Sequence, residues 1–382
     1  MSGLYVHIAY CRRKCPYCDF FSGGAATADW PTYVSALIAE LRQRIGEISG
    51  PVSTLYFGGG TPSMMPAVEF ERLVSGIRDI LADSWSVEEF TVEINPEDVT
   101  PENIAAWKRG GVNRVSMGVQ SLDDGELHFL ARNHSTADAV NAAHMLRNNF
   151  PNLSLDIMFG IPGQTMDTLN RTIDGLLAVG PDHISAYSLM YEEGTALTAR
   201  MQRGDFAQAE EELSLRMCEL ISARLAEAGF EQYEISNYAK PGYHSRHNSS
   251  YWDFVPYLGI GPSAHSYDGS CRRRANPAKL KQYLVNFNQT SPDVFYNEET
   301  LTEEERREER IMLGLRKREG ISLRSYADNF GTSALETLIT KATPAIASGD
   351  LILMQDSTGT PLALHLSRTG LMRLDTIILS LI

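Results

Sequence analysis

Residues Tyr5–Ser22 read YVHIAYCRRKCPYCDFFS: a short apolar run breaks into a loop carrying Cys11, Cys15 and Cys18 in the spacing C-x3-C-x2-C. Three thiols are an awkward number. A four-ligand zinc site needs one more donor, which His7 supplies only if the backbone sets it opposite the loop. Cys15-Pro16-Tyr17-Cys18 reads as a redox dithiol but leaves a third cysteine without a task. An iron–sulfur cubane held by three thiolates leaves one iron open to an outside ligand. On spacing alone all three readings stay open.

Around this loop the composition is that of ordinary globular material. The chain has 382 residues, 43% of them hydrophobic and 21% charged, enough for one large domain and one or two smaller ones. Lys+Arg (34) against Asp+Glu (48) gives a net charge of −14, which excludes holding a nucleic-acid backbone by bulk electrostatics. The start, MSGLYVHIAY, lacks a basic segment followed by a long apolar run, and no uncharged stretch of about 18 residues follows. The expectation is a soluble cytoplasmic protein with no transmembrane segment, peripheral membrane contact and oligomeric state left open. Five cysteines in such a chain point to reduced thiols.

From the N-terminus to about residue 190, β-rich runs alternate with helical patterns. Strands are expected at Leu4–Ala9, Thr54–Phe57, Glu89–Asn95, Arg114–Gly118, Ser154–Phe159 and His183–Leu189. The first helix carries Val34, Leu37, Ile38, Leu41, Ile45 and Ile48 on one face, with Arg42, Arg44 and Glu47 off it. Alternation of this kind means parallel strands with right-handed crossovers, in an open sheet or a barrel. Polar or glycine residues end nearly every strand: the cysteine loop, then GGGTPS, Glu93 with Asn95, Gln120, and Asp156 inside LDIMFGIPGQT. The face where strand-end loops converge is where such folds keep their chemistry. A carboxylate inside an apolar strand, as with Asp156, needs a partner if buried.

C-x3-C-x2-C with Tyr17 before its last cysteine resembles the radical S-adenosylmethionine superfamily. YVHIAYC, CPYCDF, GGGTPS, VEINPE, SMGVQS, DIMFGIPGQT and GIGPSAHSY resemble, in order and spacing, the branch holding oxygen-independent coproporphyrinogen III oxidases and the HemW haem chaperones. The resemblance implies a partial (β/α)6 barrel over residues 1–230 and a 4Fe-4S cluster on Cys11, Cys15 and Cys18. It also implies S-adenosylmethionine chelating the open iron, met by Tyr5, Tyr17, Gly59, Gly60, Thr61, Glu93, Gln120, Arg132 and Asp156. By chemistry alone Arg132, in FLARNH, equally suits a solvated helix end.

Beyond residue 190 the residues DFAQAEEELSLRMCELISARLAEAGF suggest one long amphipathic helix ending at Gly229, with Cys218 packed and inert within it. Residues 231–300 look like a connecting segment, dense in aromatics and histidine and poor in regular structure. Within it His247-Asn248-Ser249-Ser250-Tyr251-Trp252 matches a motif that the HemW resemblance associates with haem, which makes His247, Tyr251 and Trp252 haem-site candidates, with His244 and His265 behind them. Arg272, Arg273 and Arg274 could serve the propionates. Residues 301–382, helices followed by a hairpin-like LILMQDSTGTPLALHLS, resemble the small winged-helix-like domain of that family.

Two functions share this scaffold. Oxidases of the branch carry a further cysteine two residues after the third cluster cysteine and an extension before the first strand; here Phe20 stands at that place and the first cluster cysteine is already residue 11. Ala9 stands where the family usually has proline. The resemblance therefore implies a haem chaperone, whose partners are haem and haem-accepting apoproteins, ahead of a coproporphyrinogen oxidase.

Overall fold

The computed structural model describes residues 2–289 and 295–382. Strand β1 (Ser2–Ile8) runs into a two-residue parallel ladder, β2 (Tyr10–Cys11) on β3 (Gly23–Gly24), that frames the cysteine loop. From there β4 (Val52–Gly59), β5 (Trp85–Ile94), β6 (Arg114–Gln120), β7 (Asn152–Phe159) and β8 (His183–Ser188) lie side by side with β1, every neighbouring pair parallel. Helices α1 (Trp30–Arg44), α2 (Ala67–Leu81), α3 (Pro101–Gly110), α4 (Asp124–Phe129), α5 (Thr136–Arg147) and α6 (Met166–Val179) fill the connections. The six strands expected from the sequence are these six. Each end lies within a few residues of its expected place, because the apolar period that marks a strand also marks which residues face the helices.

That period divides the sheet chemically. Leu4, Val6, Ile8, Leu55, Phe57, Phe90, Val92, Val115, Leu153 and Leu155 pack into one apolar core beneath the helices. The alternate positions, among them Tyr5, His7, Tyr56, Glu93, Ser116 and Asp156, point the other way, onto an inner face that is polar along its length.

After α7 (Ala196–Gln202) and α8 (Glu211–Glu227), the segment expected to be a connector adds strands to both edges. On the far side β9 (Glu231–Gln232) and β10 (Asn237–Ala239) extend β8 antiparallel. The chain then crosses beneath the sheet through α9 (Arg246–Trp252) and returns beside β1 as β11 (Tyr257–Ile260), a seventh parallel strand, followed by antiparallel β12 (His265–Tyr267), β13 (Arg272–Ala275) and β14 (Asn297–Thr300). The twelve strands form one open sheet ending at β14 and β9, which do not pair; no closed barrel forms among the described residues. Helix α10 (Leu280–Phe287) covers α1.

Two helix expectations change. The long helix starts at Glu211 rather than near 205, since Asp205 is held by Arg203 and Arg200, and it ends as expected before Gly229, whose φ of +82° suits a residue without Cβ. Arg44, assigned to the solvated side of α1, is buried. Its guanidinium binds Glu40 at 2.7 Å, the Gly259 carbonyl at 3.0 Å and the Ser266 hydroxyl at 2.9 Å, because β11 and β12 lie where the helix alone suggested water.

Residues 301–382 form a second apolar core. Helix α11 (Glu303–Gly314), opened by a Thr302–Glu305 capping box, leads to β15 (Ile321–Ser322), α12 (Leu323–Phe330), α13 (Thr332–Ala347), the hairpin β16 (Leu351–Gln355) and β17 (Pro361–Leu366), and the short α14 (Arg368–Leu371) and α15 (Leu374–Leu381). Strands β15, β17 and β16 make a three-stranded antiparallel sheet.

Candidate functional site

The cysteine loop sits at the carboxyl end of β1, and the glycine-rich turn after β4 holds it there. Gly60 N–H donates to the Ile8 carbonyl at 2.7 Å and Thr61 N–H to the Tyr10 carbonyl at 2.8 Å. A Cβ on Gly60 would stand 2.6 Å from both carbonyl oxygens, and one on Gly59, whose φ is +103°, would stand 2.5 Å from the His7 ring. Only glycine permits this approach. The thiols have specific company: the Thr61 hydroxyl lies 3.4 Å from Cys11 Sγ and an Arg132 Nη 3.6 Å from Cys15 Sγ. Cys18 N–H closes a turn onto the Cys15 carbonyl at 3.1 Å. Burial and the two neighbouring thiols push Cys18 up to about 11.

His7, the fourth zinc donor the sequence offered, has both ring nitrogens engaged, Nδ1 with the Tyr5 hydroxyl at 3.1 Å and Nε2 with the Phe21 carbonyl at 2.9 Å. Among the described residues no three His, Cys, Asp or Glu side chains close around a single ion. Three thiols spread along one loop, with a cationic donor at one sulfur and a hydroxyl at another, fit a multinuclear cluster better than one zinc.

The remaining expected residues gather beside and below this loop. Arg132 is not a solvated helix end: besides Cys15 it donates to Asn95 Oδ1 at 2.8 Å and the Gly118 carbonyl at 2.9 Å, and Tyr17 is close enough to bias its charge. Gln120 has a φ of +68°, just where the register of β6 against β7 slips. A non-glycine residue in that region is strained, so the side chain is aimed by the fold rather than by its own preference.

Glu93 accepts from the Tyr56 hydroxyl at 2.8 Å and Gly59 N–H at 3.1 Å. Burial raises its carboxyl to about 7, with Asp156 pushing the same way and Tyr56 opposing. Asp156 has the partners its burial demands, Ser116 Oγ at 3.2 Å and Ser154 Oγ at 3.3 Å, yet burial still raises it. Tyr5 departs from expectation. Its ring stacks near Tyr56 and His247, with centroids 6.1 and 6.4 Å away, inside the polar face rather than against the cysteine loop.

Sequence reading missed Asn95 as the link between Thr61 and Arg132, Tyr56 as the donor to Glu93, and Arg114. Arg114 is 1% exposed, and its Nε and Nη1 find no partner among the described residues. An arginine at a strand's first position reads as an ordinary polar boundary, and nothing local announces that the strand starts inside the molecule.

The HNSSYW stretch is helical, not loop. As α9 it closes the amino-terminal end of the parallel strands, with the Arg246 and His247 N–H groups both donating to the Glu89 carboxylate at 2.9 Å. His247 is fully buried; Nδ1 faces Thr54 Oγ1 at 2.8 Å, Nε2 faces the Tyr251 hydroxyl at 2.9 Å, and the ring stacks on Tyr56 at 4.9 Å. Burial and Arg114 push it down to about 3. Both nitrogens of His247, expected at the haem site, are thus engaged in hydrogen bonds within the fold. Trp252, whose indole N–H is buried without a partner among the described residues, and Tyr251 belong to the same floor. The arginines expected at the propionates are paired elsewhere: Arg273 with Glu309 at 2.5 Å, Arg274 with Glu47 at 2.5 Å and Glu298 at 2.7 Å, Arg272 with Asp268 at 3.8 Å.

Set beside known proteins, the chain matches the radical SAM superfamily over residues 5–176 and the HemN C-terminal domain over residues 301–359. It is 34% identical to the heme chaperone HemW of Bacillus subtilis, over 97% of this chain and 96% of the relative. It is 39% identical to heme chaperone HemW of Mycobacterium tuberculosis over 71% of this chain and 70% of that one. The chain belongs to the HemW family of radical SAM proteins. Among solved structures it superposes on Escherichia coli coproporphyrinogen III oxidase (HemN) with a TM-score of 0.81, covering 99% of this chain and 89% of that one at 19% identity, which establishes a shared fold. The radical SAM family implies a 4Fe-4S cluster and S-adenosylmethionine, and in this HemW-family chain the loop of Cys11, Cys15 and Cys18 beside the Gly59–Thr61 cradle fits both. No helix of the described residues is long and apolar enough to cross a membrane.

Proposed function

We propose that this chain is a haem chaperone: it takes up haem and delivers it to acceptor apoproteins in the cytoplasm, while holding a 4Fe-4S cluster on Cys11, Cys15 and Cys18. Glu93, Gln120, Arg132 and Asp156, with the Gly59–Thr61 turn, bind S-adenosylmethionine over that cluster. Bound beside a reduced cluster, the cofactor would supply one-electron radical chemistry. The chain's own residues orient it, the glycine turn by close backbone approach and the two carboxylates by charge and hydrogen bonds.

The observation that carries the chaperone reading is the full-length likeness to the HemW proteins, with Phe20, 62% exposed, where the oxidases of the branch have their additional cysteine. The shared fold with the coproporphyrinogen oxidase supports the alternative, oxygen-independent coproporphyrinogen III oxidation. One experiment separates them. Anaerobically reconstituted protein is incubated with coproporphyrinogen III, S-adenosylmethionine and reductant, and separately with haem. A stable haem complex without decarboxylated product is expected; decarboxylation would make the chain an oxidase. Serine at any one of the three cysteines should abolish the brown visible absorbance of the reconstituted cluster.

A further inference from the structure

Beneath the strand-end carboxylates a chain of hydrogen bonds runs along the polar inner face and ends at the helix that closes its floor. Ser154 on β7 and His183 on β8 are partners in register, and Asp156 follows Ser154 on the same face of β7. Ser154 Oγ lies 3.3 Å from Asp156 Oδ1 and 2.8 Å from His183 Nδ1. His183 Nε2 lies 2.8 Å from the Tyr233 hydroxyl, and that hydroxyl lies 3.3 Å from the backbone nitrogen of Ser245, the N-cap of α9. Ser154, His183 and Ser245 are fully buried and Tyr233 nearly so.

The proton positions follow from one end of this chain. A backbone N–H only donates, so Ser245 N–H occupies a lone pair of the Tyr233 oxygen. The phenol proton then has His183 Nε2 as its acceptor among the described residues. Burial, with Arg114 and His244 adding to it, pushes the imidazole well below its ordinary range, so the ring is neutral and carries a single proton. With Nε2 accepting, that proton sits on Nδ1 and goes to Ser154 Oγ, which turns the serine's own proton onto Asp156. Every donor in the chain points toward the carboxylate. Burial raises the Asp156 carboxyl, and the hydroxyls around it, including Ser116 Oγ at 3.2 Å from both its oxygens, oppose that rise. A carboxylate held in this way is an acceptor, the form to which a ribose diol donates.

We propose that His183 is a positioning residue for the cofactor: acting through Ser154, with its tautomer set by Tyr233 and the N-cap of α9, it holds Asp156 as the acceptor for the ribose hydroxyls of S-adenosylmethionine. The inference rests on the reading that Asp156 belongs to the cofactor site.

The test measures S-adenosylmethionine affinity by isothermal titration on anaerobically reconstituted, full-length protein, with iron content and far-ultraviolet circular dichroism as controls for cluster and fold. Asp156→Asn should weaken binding. His183→Leu and Ser154→Ala should each weaken it about three- to tenfold, the worth of one hydrogen bond. His183→Asn keeps a donor where ring Nδ1 stands and should recover most of that loss, whereas His183→Gln, whose amide falls at the place of Nε2 and misses Ser154, should not. Because His183 acts through Asp156, adding His183→Leu to Asp156→Asn should cost nothing further. Should His183→Leu not fold, His183→Gln takes its place in both backgrounds. Wild-type affinity in the His183 variants beside a weakened Asp156→Asn overturns the inference and leaves the cofactor site intact, and so does an undiminished His183 loss in the Asp156→Asn background. Wild-type affinity in Asp156→Asn removes that carboxylate from the cofactor site and overturns the inference with it.

Discussion

Glu93 is the residue whose chemistry the fold alters most usefully. In water its carboxyl would be ionised at neutral pH; here burial, with Asp156 nearby, brings it to about 7, so without a cation beside it the acid is partly protonated at neutral pH. S-adenosylmethionine is cationic at its sulfonium and amino groups, and a cation favours the ionised form, so binding should release a proton. Affinity is then full above pH 7 and falls by up to about tenfold per pH unit below it. Isothermal titration between pH 6 and 8.5 checks this, with Glu93→Gln as the partner measurement. The glutamine variant should bind more weakly above pH 7 and lose this part of the pH dependence, and whatever slope remains belongs to the ligand's own amine. An identical slope in both proteins would separate Glu93 from the cofactor. The sequence disclosed Glu93 and Asp156 as strand-end carboxylates but not their coupling, which needs β5 and β7 on either side of β6 and the shared inner face.

At the scale of elements, the apolar period was informative for the six strands and for α1, and misleading wherever an element has a second neighbour. The residues YLGI are too short to announce a parallel strand and look like part of a connecting segment; with β11 beside β1, Arg44 and Glu40 on α1 face protein instead of water. Glu40 is fully buried and accepts from Arg44 at 2.7 Å, Tyr283 Oη at 2.7 Å, Asn276 Nδ2 at 2.7 Å and Gly261 N–H at 2.8 Å. One carboxylate thus ties α1 to α10 and to the turn after β11. Similarly, α9 was legible as a motif but not as a helix, because its stability comes from Glu89 and Ser245 at its N-terminus rather than from seven residues of propensity. Breaking the pair from either end leaves a buried charge. Glu40→Ala and Arg44→Ala should each cost about 3–5 kcal/mol. The double replacement should cost clearly less than the sum, as a thermodynamic cycle from chemical denaturation would reveal. Additive losses would mean that the two charges act independently.

The described residues form two large apolar cores joined by a largely polar seam, with a small third cluster of Leu130, Met158, Ile161, Leu189 and Leu197. One core lies between the parallel sheet and its helices, the other within residues 301–382, and between them run the Glu234–Lys317 bridge, the Tyr233–Arg318 hydrogen bond and ion pairs such as Arg273–Glu309. Tyr233 faces both ways: its carbonyl accepts from Arg318 N–H at the C-terminal core, and its hydroxyl meets His183 Nε2 at 2.8 Å on the polar inner face. Two cores with so little apolar contact between them should unfold in two calorimetric steps, the smaller C-terminal core first, since a small core buries a smaller fraction of its surface. A ligand stabilises only the units it touches, by about 2.7 kcal/mol at a hundredfold excess over its dissociation constant. With the cluster in place, S-adenosylmethionine should raise the upper transition alone. The lower transition should stay in place, because the C-terminal core contributes no residue of the expected cofactor site. Anaerobic scanning calorimetry with and without S-adenosylmethionine makes the comparison. An equal rise in both transitions would mean that the seam couples the two cores into one cooperative unit.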